Sequence, residues 1–139
     1  MVTETRETTP FERRRMVGDF IVTAQAVGVG AQAAGSMGWL ARAGQEENAP
    51  FVCACLHPGG LPALQYRRAA GAPVEQVQAA EAGAGADVVQ LERKGSTFVL
   101  SVARFGEPFT AVQATVIDLG DEVDVALFAD GAGEGRAAA

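Results

Sequence analysis

The segment Asp87–Thr110 constrains the fold of this chain more than any other, because it has the pattern of a complete amphipathic β-hairpin. In its first half, Val89 and Leu91 alternate with polar residues, which is the two-residue period of a strand with one buried face. Residues 94–96, Lys-Gly-Ser, are a turn sequence. The second half repeats the apolar period at three positions: Phe98, Leu100 and Val102. The segment therefore predicts antiparallel β structure.

Strand-like segments recur along the chain, separated by turn residues such as the Pro-Gly-Gly of residues 58–60. The predicted strands are Asp19–Val27, Met37–Ala43, Phe51–His57, Ala63–Arg68, Asp87–Lys94, Thr97–Phe105, Thr110–Leu119 and Asp124–Ala129. Short strands at this spacing predict an all-β fold, a two-sheet antiparallel sandwich of the jelly-roll type. Val74–Ala82 stays open, because Pro73 and the valine spacing fit a short helix while an edge strand or a loop fits equally well.

The length of the chain fits one domain with one core. At 139 residues it can bury a majority of its unfolded surface, but it is too short for two domains. We expect the domain to span residues 11–130, with mobile tails at residues 1–10 and 131–139, where little apolar surface is available to bury. The predicted core residues are Phe20, Val22, Val89, Leu91, Phe98, Leu100, Val102, Val116, Val125 and Leu127.

The charge balance argues against a nucleic-acid partner. Eleven basic and seventeen acidic residues give a net charge of −6, which repels a phosphate backbone. The basic cluster Arg13-Arg14-Arg15 lies beside Glu12, and we interpret it as a solvated face at the start of a strand. The high alanine content is typical of a GC-rich bacterial source.

A superficially apolar run, residues 16–36, follows that cluster and could be mistaken for a secretory signal. Asp19, Thr23 and Gln25 interrupt the run, and its alternation is that of a half-buried strand. No segment approaches the roughly 18 apolar residues of a membrane span. We therefore expect a soluble, cytoplasmic protein without a membrane partner.

Cys53, Cys55 and His57 form the only Cys-x-Cys-x-His motif, and strand alternation places all three on one face. Same-face neighbours in a strand lie about 6.6–6.8 Å apart, so Cys53 and His57 would be separated by roughly 13 Å, too far for one zinc ion with bonds of about 2.0–2.3 Å. We therefore predict no metal site and no cofactor. The two thiols are expected to be reduced, because an extended i,i+2 pair is close to the limit of disulfide geometry.

Four further segments have the pattern of a known β-sandwich family. They are Gly18–Ala24 (GDFIVTA), Gly38–Ala43 (GWLARA), Leu64–Arg67 (LQYR), and Val89–Arg93 (VQLER) followed by Gly95, Phe98 and Gly106. These segments resemble the motifs of the concanavalin A-like lectin and glucanase superfamily, in particular bacterial domains of its laminin G-like branch. The resemblance covers most of residues 11–130 and implies a sandwich with one concave sheet, which often presents polar side chains to sugars or protein partners.

The chain departs from this family at positions that bear on ligand and activity. Phe105, Phe109 and Gln90 stand where Asp, Trp and Arg are common. Catalytic members carry Glu-x-Asp-x-x-Glu on one strand, whereas here Glu122-Val123-Asp124-Val125-Ala126 is followed by Leu127. Retaining glycoside hydrolysis needs two carboxyl groups about 5 Å apart. The missing glutamate therefore argues against that reaction and for a noncatalytic protein.

The candidate site is a polar sheet face. It comprises the polar positions of three predicted strands: Arg42, Gln65, Arg67, Gln90 and Glu92. Trp39 and Tyr66 are either further ligand contacts or core residues. We predict a noncatalytic binding module that recognises a carbohydrate or protein surface through this face. Two alternatives remain: an accessory subunit of a larger intracellular assembly, and a small enzyme acting on an apolar intermediate inside the sandwich. The sequence does not indicate the oligomeric state.

Overall fold

A computed structural model of the chain describes residues 2–4, 13–25, 36–44, 46–79 and 85–129. The strands are β1 (Val2–Glu4), β2 (Arg13–Val17), β3 (Phe20–Gln25), β4 (Met37–Arg42), β5 (Phe51–His57), β6 (Leu61–Arg67), β7 (Glu75–Gln78), β8 (Val88–Lys94), β9 (Thr97–Ala103), β10 (Thr110–Val116) and β11 (Glu122–Ala129). No helix occurs among the described residues, and none of them therefore forms a helix that could cross a membrane.

The strands form two sheets that pack face to face. One sheet has five strands in the order β1-β3-β8-β9-β10, and the other has six in the order β2-β11-β4-β5-β6-β7. All pairs are antiparallel except β1 with β3, which is parallel. In the six-stranded sheet, β11 lies between β2 and β4, so the last strand joins the first part of the chain to the middle. The predicted all-β sandwich with two sheets is confirmed.

Each of the eight predicted strands corresponds to a strand of the structure, with ends that differ by up to three residues. The open segment Val74–Ala82 contains the edge strand β7, and its residues 80–82 lie outside the described part of the chain. Two strands were not predicted. β1 lies within residues 1–10, and β2 contains the arginine cluster, whose three arginines are all exposed. The predicted tail at residues 131–139 lies outside the described residues, and the domain bounds stay a prediction.

The core fills the space between the sheets, and nine of the ten predicted core residues belong to it. Val116 is the error, since 63% of its surface is exposed. The cause is the register of β10, in which Thr115 pairs with the core residue Phe98 and faces inward. Val116 then faces outward, and a bulge between Ala111 and Gln113 shifts the alternation along the strand. Ile117 and the residue two positions further, Leu119, complete the core instead.

One end of the sandwich is closed by a buried arginine. Arg93 is only 5% exposed and occupies an inward position of β8, where its guanidinium lies 5.4 Å from the ring centroid of Phe98. Its Nε donates to the carbonyl of Gly95 at 2.9 Å, Nη1 donates to that of Asp121 at 3.5 Å, and Nη2 donates to that of Gly120. Arg93 therefore joins the β8–β9 turn to the loop before β11.

Candidate functional site: the outer face of the six-stranded sheet

The structure separates the predicted polar face into two surfaces. Arg42 on β4 and Gln65 and Arg67 on β6 belong to the six-stranded sheet. Gln90 and Glu92 lie on β8, in the five-stranded sheet. A single polar face required the three strands to be neighbours, and β8 lies in the other sheet. Alternation indicates which side of a strand is polar but not which strands are neighbours. Ligand binding by these residues stays a prediction for each surface taken separately.

The two aromatic residues that were left open between ligand contact and core lie in the core. Trp39 is 4% exposed and Tyr66 is 7% exposed, and both pack between the sheets. The guanidinium of Arg68 covers the Tyr66 ring at 4.8 Å from its centroid. The indole Nε1 of Trp39 has no hydrogen-bond partner among the described residues. Neither ring is therefore available as a platform for a sugar.

The outer face of the six-stranded sheet is unusual because it is partly apolar. Inward positions of its strands, such as Val52 and Leu64, belong to the main core. On the opposite side a second apolar cluster forms, built from residues of β4, β5, β6 and β11. Its members are Cys53, Cys55, Ala63, Leu40, Phe51 and Phe128. A sheet face turned to solvent ordinarily alternates to polar residues, so this cluster marks the face as a candidate interaction surface.

A row of charged side chains crosses this outer face next to the apolar cluster. The strand registers align five residues across β2, β11, β4, β5 and β6: Arg15, Asp124, Arg42, Phe51 and Arg67. Nε of Arg15 lies 3.6 Å from Oδ1 of Asp124, and its Nη1 lies 3.9 Å from Oε1 of Glu122. Glu122 and Asp124, the remaining part of the glutamate motif, thus both contact one arginine, while Leu127 lies in the core.

The two arginines on either side of Phe51 have different surroundings. Arg67 donates hydrogen bonds to three backbone carbonyls, from Nε to Ala72 at 2.9 Å and from Nη1 to Glu47 at 3.0 Å and Ala49 at 3.4 Å. Its guanidinium also lies 5.4 Å from the centroid of the Phe51 ring. Arg67 therefore holds the loop between β4 and β5. The Nε of Arg42, in contrast, is buried and has no hydrogen-bond partner among the described residues.

A polar network lies at the other side of the apolar cluster, around His57. Oγ of Ser36 lies 2.9 Å from Nδ1 of His57, and Nε2 of His57 lies 3.0 Å from Oε1 of Gln76. Nε2 of Gln65 donates to the same Gln76 oxygen at 2.6 Å. Because an amide oxygen can only accept, this arrangement places the imidazole proton on Nε2. Sequence reasoning missed Ser36 and Gln76, since a single polar residue beside a strand carries no distinctive signal.

The Cys-x-Cys-x-His motif faces this network. Sγ of Cys55 lies 4.0 Å from Nε2 of His57 and donates to the carbonyl of Ala63 at 3.5 Å. Both thiols are free and buried. A hydrogen bond from the Cys53 thiol lowers the pKa of Cys55, and the same hydrogen bond, together with burial, raises the pKa of Cys53 well above its usual value. Among the described residues, no three His, Cys, Asp or Glu side chains are placed to hold one metal ion.

Comparison with known proteins gives a likeness in fold. No protein-family model matches the chain, and no curated protein matches it in sequence. The PSpry domain of TRIM65 is similar with a TM-score of 0.52 at 6% identity, over 84% of this chain and 61% of that domain. The chain thus spans less than two thirds of the length of that domain. At this identity the likeness shows a shared β-sandwich fold alone.

A second neighbour is the Ruminococcus gnavus IT-sialidase CBM40 bound to α2,6-sialyllactose. Its TM-score is 0.47 at 14% identity, over 88% of this chain and 69% of that chain. A likeness at this level is too weak to carry a conclusion about fold or ligand.

Proposed function

We propose that this protein is a noncatalytic binding module and that it recognises a carbohydrate or protein surface bearing a carboxylate through the outer face of its six-stranded sheet. The central residues of this outer face are Arg42, Leu40, Phe51, Gln65 and Phe128. All five lie on the side of the sheet that is turned away from the core.

Charge supports an acidic ligand at this face. The chain as a whole has a net charge of −6. The outer positions of this sheet nevertheless carry more arginines than carboxylates. The arginines are Arg13, Arg15, Arg42 and Arg67, on β2, β4 and β6, and the carboxylates are Glu122 and Asp124, on β11. Local positive charge on an acidic protein attracts anionic groups and favours their docking in one orientation.

Arg42 is the observation that carries the proposal. A buried N–H without an acceptor costs about 1–3 kcal/mol, and more when the group is charged. The Nε of Arg42 is in this situation within the described part of the chain, and it lies between the carboxylate of Asp124 and the ring of Phe51 in the strand register. Arginine forms a planar fork that binds carboxylates through two parallel hydrogen bonds. A ligand carboxylate would supply the missing acceptor.

The apolar cluster supports the contact around this arginine. Leu40, Phe51 and Phe128 are half-buried on a sheet face that would otherwise be polar. Binding surfaces typically combine apolar contacts with polar groups, and here Gln65 and Gln76 provide amide groups beside the apolar cluster. Amide groups bind sugar hydroxyls as readily as peptide groups, so both ligand classes fit this composition.

The experiment that tests the proposal uses paired variants on the two sheets. Arg42→Ala and Gln65→Ala remove candidate contacts on the outer face, and Gln90→Ala removes the residue predicted on the other sheet. Binding to an array of glycans with and without carboxylates is measured for each variant, after circular dichroism has shown that each is folded. We expect the two outer-face variants to lose binding at least tenfold and Gln90→Ala to retain it.

A protein ligand is tested by the same pairs. A photoreactive amino acid at position 65 is compared with one at position 90, in the presence of an acidic protein or peptide that binds the wild type. Cross-links at position 65 alone support the outer face. Cross-links or loss of binding at position 90 alone contradict it and assign binding to the five-stranded sheet. Failure to bind any glycan or any acidic protein contradicts the proposed function as a whole.

A further inference from the structure

Cys53 and Cys55 form a pair of sulfur atoms on one side of β5. Their side chains are 5% and 1% exposed and belong to the same buried cluster. Both lie on the outer side of the sheet, since the intervening Ala54 packs into the main core. Two soft donor atoms are therefore held side by side on a rigid strand, away from water.

The residues that flank Cys55 in the sheet are small. In the strand register, Cys55 lies between Gly38 on β4 and Ala63 on β6, so its neighbours contribute no side chain and one methyl group. Gly38 is required there by close packing, because a Cβ atom at this position would lie 2.7 Å from the Cα of Cys55. Cys53 lies between the larger side chains of Leu40 and Gln65.

Spacing decides which metal ion such a pair can bind. Cα atoms two residues apart in a strand are separated by roughly 6.6–6.8 Å. An ion in line between two sulfurs, with metal–sulfur bonds of about 2.3 Å, separates them by roughly 4.6 Å, which side chains on one face can reach by converging. Zinc needs four ligands in a tetrahedron. No group of three suitable side chains occurs in the described part of the chain, so the pair does not suit zinc.

We propose that Cys53 and Cys55 form a two-sulfur binding site for a soft monovalent metal ion of the Cu(I) class. Soft thiolate ligands favour Cu(I) over harder cations. Binding replaces the two S–H bonds with two metal–sulfur bonds and releases two protons, without any change of oxidation state. The resulting site carries one negative charge. Nε2 of His57, which donates its proton to Gln76, lies 4.0 Å from the sulfur of Cys55.

The site is tested by competition for Cu(I) with the coloured bicinchoninate complex, on reduced protein without oxygen. We expect the wild type to remove one Cu(I) per chain. Cys53→Ser and Cys55→Ser each remove one of two ligands and should weaken binding by more than the roughly 100-fold that loss of an outer-shell partner costs at most. His57→Gln should weaken it by about tenfold, because it removes only an outer-shell neighbour of the Cys55 sulfur.

Controls separate this site from unspecific thiol binding. Cys53→Ala accompanies Cys53→Ser, and thermal unfolding of the metal-free variants shows that each is folded. Native mass spectrometry should show one ion per monomer. Undiminished Cu(I) binding by folded Cys53→Ser, two chains per ion, or zinc binding as tight as Cu(I) binding would each overturn the proposal. None of these results bears on ligand binding at Arg42, so the proposed function is tested independently.

Discussion

The two sheets of this sandwich share one core but differ on the sides that face away from it. On the five-stranded sheet, the outer positions of β3 and β8 carry polar side chains such as Thr23, Gln90 and Glu92, and Thr23 contacts Gln90 at 3.4 Å. On the six-stranded sheet, the corresponding side carries an apolar cluster and buried thiols. Polar side chains at these positions are typical of a sheet side turned to solvent, although apolar residues such as Ile21 and Val88 accompany them. The six-stranded sheet differs in that its apolar residues on this side form one cluster, which makes it the candidate interaction surface.

The largest predicted effect concerns Arg93, the buried arginine of the five-stranded sheet, compared with Glu92 on the outer side of the same strand. Arg93→Ala leaves three backbone carbonyls without their charged donor and should lower the free energy of unfolding by about 3 kcal/mol. Glu92→Ala, one position away on the outer side, should change it by less than about 0.5 kcal/mol. Urea unfolding measures both. An equally large loss of stability in Glu92→Ala would contradict the assignment of Glu92 to the solvent-facing side of β8.

The second prediction compares half-buried aliphatic residues on the outer sides of the two sheets. Leu40→Ala removes contacts with the apolar cluster of the six-stranded sheet and should cost about 2 kcal/mol. Ile21→Ala, at a half-buried outer position of the five-stranded sheet, should cost about 1 kcal/mol. Denaturant midpoints with unchanged slopes provide the comparison. If Ile21→Ala proves the more costly variant, the two outer sides do not differ as described.

The third prediction concerns the thiol pair, which has no counterpart on the five-stranded sheet. The lowered pKa of Cys55 makes the folded state lose its proton first, so stability should increase with pH until the unfolded thiol also ionises near its usual value of about 8.5. Above that value, the raised pKa of Cys53 keeps the folded thiol protonated, so stability should decrease with pH.

Each unit of pH over which the two states differ by one proton changes stability by about 1.4 kcal/mol. Unfolding between pH 6 and 10 under reducing conditions, with Cys53→Ala/Cys55→Ala as reference, isolates this contribution. A difference between wild type and reference that does not vary with pH would contradict the described hydrogen bond between the thiols.

The smallest effect concerns the ion pairs of Arg15 at the edge of the outer face. Side-chain exposure is 12% for Asp124 and 58% for Glu122, so the pair with Asp124 should contribute more. Double-mutant cycles should give less than about 1 kcal/mol for Asp124 and close to zero for Glu122, and both values should fall at high salt. A larger coupling for Glu122 would indicate that the exposed end of the row is more ordered than its burial implies.

The sequence predicted the fold largely because β8 and β9 alternate so regularly. Their alternating apolar residues Val89, Leu91, Phe98, Leu100 and Val102 all lie in the core. β5 was located with both ends correct, although its outer positions carry thiols. Val116 was misplaced because a bulge shifts the alternation, and a bulge leaves no mark in a pattern of residue types. β2 was not in the predicted set of strands, because Met16 is its single buried residue and the three arginines before it are exposed, so no apolar alternation is present.

The candidate site was predictable only in part. Arg42 and Gln65 were identified by their polar positions in predicted strands, and both lie on the six-stranded sheet. Gln90 and Glu92 were grouped with them, since a sequence without neighbouring-strand information cannot assign strands to sheets. The polar network around His57 could not be predicted from the sequence either. Gln76 lies nineteen positions from His57 along the chain, and only the pairing of β5, β6 and β7 brings them together.

The central place of β11 has a consequence for how the protein is made. Because β11 supplies the pairing partner of both β2 and β4, the outer face of the six-stranded sheet can close only after residue 129 has left the ribosome. Such long-range pairing slows folding relative to local hairpins. The β8–β9 hairpin can form during synthesis, whereas β2 can pair with β11 only after more than a hundred further residues have been synthesised. The outer face of the six-stranded sheet is then complete only once the whole domain has been synthesised.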